Sequence, residues 1–86
     1  MEIVKVDNHN EIIVNDNFEK ELNEIFSSSK YKCIIYKSDF YEGFIAAEKL
    51  NDKIIFCDSR FYVSILNYKN SINYDTTARN QNRKLL

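Results

Sequence analysis

The residues that most often carry enzyme chemistry are scarce in this 86-residue chain: one histidine, two cysteines and one glycine. His9 lies in Asp7-Asn8-His9-Asn10, a polar cluster whose short side chains favour an exposed turn. A Ser/His or Cys/His nucleophile system needs this imidazole as its base, held by an orienting carboxylate, and the flanking sequence offers no such arrangement. His9 therefore reads as a solvated turn residue, and a histidine-based zinc site lacks further ligands. Cys33 and Cys57 are 24 residues apart, each inside an apolar run, with no Cys-x-x-Cys spacing. They read as reduced core residues; a bridge stays open only if their strands are neighbours in an oxidising compartment.

Asp58 closes the apolar run Ile54-Ile55-Phe56-Cys57. An aspartate in that position can hold Mg²⁺ at the carboxyl edge of a sheet, with Asp39, Glu42 or Asp52 as companions. It reads equally well as a strand-ending turn or a helix cap, and the favoured reading is structural. No Glu-x-Lys or Gln-x-Lys triplet supports a metal-dependent nuclease. Phosphate-cradling loops need several glycines, so a chain whose single glycine is Gly43 has neither a P-loop nor a G-x-G-x-x-G turn. The expectation is no catalytic residue, no metal and no cofactor.

Binding chemistry is better represented. Six Tyr and six Phe make up 14 % of the chain. Adjacent aromatics on a strand put one ring on each face, so a one-sided core leaves some of Tyr41, Tyr62, Tyr68 and Tyr74 facing outward. Exposed tyrosines anchor protein interfaces and stack on bases. Charge is uneven as well: residues 1–24 hold seven acids against two bases, whereas 76–86 hold Arg79, Arg83 and Lys84 without an acid. Glu21 and Glu24 on an acidic helix, Tyr41, Tyr62 and Tyr68, and the basic Arg79, Arg83 and Lys84 form the candidate partner-binding set.

These groups need elements to hold them. Glu2–Val6 and Glu11–Val14 read as two short strands around the Asp7–Asn10 turn. A helix is expected over 16–28, with Asp16 as N-cap, Glu19 completing a capping box, and Phe18, Leu22, Ile25 and Phe26 forming one apolar stripe. Tyr31–Lys37, rich in β-formers and flanked by lysines, reads as a central strand. Gly43–Leu50 and Lys53–Asp58 read as a hairpin around Asn51-Asp52, in preference to a helix over 39–50. Arg60–Tyr68 reads as a further strand, although Phe61, Ile65, Tyr68 and Ile72 also share a helical face after a Ser59 cap.

The expected fold is α+β: a mostly antiparallel sheet of five or six short strands with the 16–28 helix on one face. Its core is Ile3, Ile12, Val14, Phe18, Leu22, Ile25, Phe26, Cys33, Ile35, Ile45, Ile54, Phe56, Val63 and Ile65. Residues 1–75 form one domain, and 76–86 a basic polar tail. The first residues lack a basic lead and a long apolar stretch, so a cytoplasmic chain is expected, with no membrane partner. The abundance of Ile, Asn, Lys, Tyr and Phe, together 43 residues, points to an A/T-rich genome.

Together these features lead to a non-enzymatic binding module that docks on a larger protein and modulates or inhibits it. A phage or mobile-element inhibitor of a host defence or transcription machine is its concrete form. The alternative is a small nucleic-acid-binding regulator using the basic tail and exposed aromatics, weak because three charges give few phosphate contacts. A homodimer through an edge strand stays open.

Overall fold

The computed structural model describes residues 1–72, so the expected tail and its Arg79, Arg83 and Lys84, together with Tyr74, lie outside the described residues. The elements run β1 (Glu2–Lys5), α1 (Asp16–Ser28), β2 (Cys33–Lys37), β3 (Phe44–Leu50), β4 (Lys53–Asp58), a 3₁₀ turn (Ser59–Phe61) and α2 (62–72). Among the described residues the architecture is α+β: one mixed four-stranded sheet, ordered β1-β4-β3-β2, with a helix on each face. Five or six strands and a single helix were expected, and both numbers are corrected. No helix among these residues is long and apolar enough to cross a membrane.

The hairpin is the part that follows the sequence most closely. β3 and β4 pair antiparallel from Ile45↔Asp58 to Leu50↔Lys53, and Asn51 takes the left-handed backbone (φ 55°) that the tight turn requires. β4 then becomes a central strand, because β1 adds to its other edge in parallel, from Glu2↔Lys53 to Lys5↔Phe56.

The parallel pairing removes the expected strand at Glu11–Val14. Residues 7–15 form a loop, tethered where Lys5 Nζ donates to the carbonyls of His9 and Ile12. Of its apolar residues only Ile12 is buried; Ile13 and Val14 are exposed.

α1 has the expected bounds but not the expected cap. Asn15 is the N-cap: its side chain accepts from Phe18 N–H at 2.9 Å, so the Asp16/Glu19 capping box does not form. Phe18, Leu22 and Phe26 pack with Ile12, Tyr41, Ile45, Ala47, Ile54 and Phe56 on the first face of the sheet. Phe18 and Phe56 meet as tilted rings 5.0 Å apart.

The second face explains why Arg60–Tyr68 is not a strand. Both edges of β4 are already paired with β1 and β3, so the chain leaving Asp58 cannot fold back beside β4 as a further strand. It turns instead and covers the apolar residues left on the far side. Ile65 packs there with Ala46, Ile55 and Cys57, flanked by Tyr62, Tyr68, Val4 and Val6. Val63, expected in the core, points out.

β2 is an edge strand, not a central one. It pairs only with β3, from Cys33↔Glu48 to Lys37↔Phe44. Ile35, expected in the core, is 61 % exposed. Cys33 and Cys57 are both free, and β3 lies between their strands. Two strand spacings are about 9.6 Å, beyond the roughly 7 Å over which a disulfide forms, so the bridge left open by the sequence is excluded.

Candidate functional site

Two places concentrate side chains that a function could use, and they differ in how many of their polar groups are already engaged. The first lies at the carboxyl ends of β1 and β4. These parallel neighbours send the chain to opposite faces of the sheet, through α1 and α2, which opens a crevice between the two exits. In open α/β sheets such a switch point is the usual ligand position. Here it is a cleft of about 350 Å³ lined by Val6, Asp7, Asn8, His9, Phe61 and Ser64.

Its polar groups mostly satisfy one another. Asp58 caps the 3₁₀ turn by accepting from Arg60 N–H at 2.9 Å, and its two oxygens take the Arg60 guanidinium at 3.0 and 2.9 Å. The Tyr41 hydroxyl donates to the same carboxylate. The Arg60 bonds, and after them the Tyr41 bond, hold the Asp58 carboxyl well below the usual carboxylate range against the opposing effect of burial. The Tyr41 hydroxyl is pushed up by the same bond. Asp7 accepts from the N–H of Asp58 at 3.0 Å and of His9 at 3.3 Å, tying β1 to β4. His9 stacks on Phe61, with ring centroids 5.2 Å apart. Asp58 is thus a strand-end lock whose oxygens are occupied by a tyrosine and an arginine. Among the described residues no group of three His, Cys, Asp or Glu side chains has metal-binding geometry.

The second place is the open edge of β2. The bond from Lys49 N–H to the Lys32 carbonyl, at 2.7 Å, sets the ladder's alternation. Lys32, Ile34 and Tyr36 face β3, and Cys33, Ile35 and Lys37 hold their backbone N–H and C=O toward the open side. Ile35 and Phe44, the latter 55 % exposed, lie on the α2 side of the sheet near this edge.

At the start of β2 the chain forms a groove of about 510 Å³ whose lining includes Lys30, Tyr31, Lys32, Lys49 and Lys69. Lys69 is committed to the buried Glu48 at 2.8 Å, whereas Lys30, Lys32 and Lys49 are exposed and make no ion pair among the described residues. Tyr31 between the first two is 74 % exposed.

The candidate residues from the sequence distribute differently from expectation. Tyr41 does not face outward; it is 8 % exposed and bonded to Asp58. Tyr62 and Tyr68 belong to α2 and are half-buried against the sheet. Tyr62 contacts Cys33 Sγ at 3.4 Å, and its hydroxyl is pushed up to about 12, mainly by that contact. A core on both faces accommodates these rings, which a one-sided core does not. Glu21 is used internally, accepting from Ser38 at 2.8 Å, Asp39 N–H at 2.9 Å and Tyr36 at 3.3 Å. Glu24 is exposed on α1 and shares a shallow depression with Glu21, apart from the three tyrosines. The structure therefore does not gather the partner-binding set into one patch. Lys30, Lys32 and Lys49 were overlooked, although the lysines flanking Tyr31–Lys37 are the usual protection of an exposed edge. No protein-family model, curated protein or solved structure matches this chain.

Proposed function

We propose that this chain is a non-enzymatic binding module that docks on a larger protein and modulates or inhibits it, taking an extended segment of that protein onto β2 by strand addition. The observation that carries the reading is the edge itself: three residues with outward backbone groups, centred on an exposed isoleucine. In strand addition the main-chain bonds supply affinity and alternate side chains supply specificity. Ile35 and Phe44 offer the apolar contact on one side. The A/T-biased composition is the ground for a phage or mobile-element inhibitor as the concrete form.

The test is affinity capture from the source or host lysate with the native chain and with Ile35→Pro, followed by hydrogen exchange on the captured complex. Proline at 35 removes an outward N–H and leaves the β3-facing bonds of Ile34 and Tyr36 in place. A partner recovered near-stoichiometrically by the native chain, lost with Ile35→Pro, and protecting the amides of Cys33, Ile35 and Lys37 is the expected result. Failure to recover a partner, equal recovery by the variant, or protection elsewhere overturns it.

A further inference from the structure

We infer that the segment accepted by β2 is acidic, with its carboxylates over Lys30, Lys32 and Lys49; this rests on the strand-addition reading and adds the chemistry of the partner. Lys32 and Lys49 are direct cross-strand neighbours on the α1 side of the sheet. Like charges so placed destabilise a sheet, and no acid among the described residues pairs with either. Lys30 adds a third uncompensated charge to the same groove, the one nearby carboxylate, Glu48, being neutralised by Lys69. The molecule as a whole carries -1, so this concentration of positive charge is local.

The alternation of the ladder fixes how an added strand meets it. Residues on its α1 side run beside Lys32, and those on its α2 side run beside Ile35. A segment alternating acidic and apolar residues satisfies both. A second copy of this chain does not through its β2, because residues 30–37 hold three lysines and no acid. At the other end of β2, the Lys37 ammonium is held by the carbonyls of Ser38 and Tyr41, so the clustered lysines are those of the groove.

The experiment titrates the full chain at about 50 mM salt with three blocked octapeptides: (Glu-Val)₄, (Gln-Val)₄ and (Lys-Val)₄. The glutamate peptide is expected to bind about tenfold tighter than the glutamine peptide, as two or three exposed charge pairs supply, and the lysine peptide not at all. The double variant Lys32→Glu/Lys49→Glu, both positions exposed, is expected to keep the circular dichroism of the native chain and reverse the order of glutamate and lysine peptides. Equal binding of glutamate and glutamine peptides, lost in Ile35→Pro, overturns the charge inference and leaves strand addition standing. No peptide bound, or binding indifferent to Ile35→Pro, overturns strand addition with it. Tighter binding of an oligo(dT) 12-mer than of the glutamate peptide, abolished by the double variant, overturns it in favour of a phosphate backbone.

Discussion

Asp58 bears on stability because one carboxylate is asked to end a strand, cap a turn and fix a buried tyrosine. Its partners are Arg60, whose side chain is largely exposed, and Tyr41, which is not. Removing the tyrosine hydroxyl leaves the ring's packing intact and deletes one bond to a charged group, so Tyr41→Phe is expected to cost about 1.5–3 kcal/mol at pH 7. The pH dependence follows from the lowered folded-state pKa of Asp58. Its stabilising contribution is complete above the ordinary carboxylate range near 4, and it fades as pH falls toward the depressed folded value. Tyr41 contributes to that depression, so the gap between native chain and variant should shrink below pH 4. Urea unfolding at pH 7 and pH 3 measures both; a gap that stays constant means the hydroxyl does not act through the Asp58 charge. Gly43 belongs to the same cluster. A Cβ there would stand 2.8 Å from Cε1 of the Tyr41 ring, so the single glycine of the chain serves packing around the lock rather than phosphate binding.

At the scale of elements, α1 shows how a correct helix can carry the wrong cap. Asn15 and Asp16 are both good N-caps, and the Asp16–Glu19 spacing favours the second. Burial decides between them: Phe18, Leu22 and Phe26 must face the sheet, and the chain entering from Ile12 presents Asn15 with extended backbone (φ -129°, ψ 176°). Asn15→Ala should therefore cost about 1 kcal/mol. Asp16→Ala should cost less, about 0.3–1 kcal/mol, since Asp16 only complements the helix dipole. Chemical denaturation of the two variants ranks them, and the reverse order restores Asp16 as the cap.

The same scale explains what the sequence made legible. The α1 stripe and the Asn51-Asp52 hairpin are local patterns, and both form as read. The second helix is not local. Its segment alternates well enough for a strand, and the deciding information lies in β3 and β4: Ile45-Ala46-Ala47 and Ile54-Ile55-Phe56-Cys57 are buried without alternation, which means cover on both faces. Edge and centre were confused for a related reason. Ile34-Ile35 looks like core, and only strand order, with β1 inserted beside β4, puts β2 outside. The lysine groove is assembled from three segments separated in sequence, so neither the count of charges nor their order along the chain reveals it.

For the whole molecule the question is how an exposed, isoleucine-centred edge is kept from pairing with other copies. The five-residue length of β2 and its lysines are the means available to it. If the lysines do this by charge, their effect is long-ranged only at low ionic strength, since salt at about 0.15 M screens beyond roughly 8 Å. Replacing Lys32 with valine removes one charge from the start of the edge, relieves the Lys32–Lys49 opposition, and extends the apolar run into Cys33–Tyr36. That exchange stabilises β3–β2 pairing within one molecule and pairing between molecules together. Lys32→Val should therefore melt no lower than the native chain, yet sediment as dimers or larger species at concentrations where the native chain is a monomer. Added salt should move the native chain in the same direction and the variant less. Sedimentation equilibrium at about 50 and 500 mM salt decides it: a variant as monomeric as the native chain under both conditions would mean that edge length, not charge, keeps β2 from pairing with other copies.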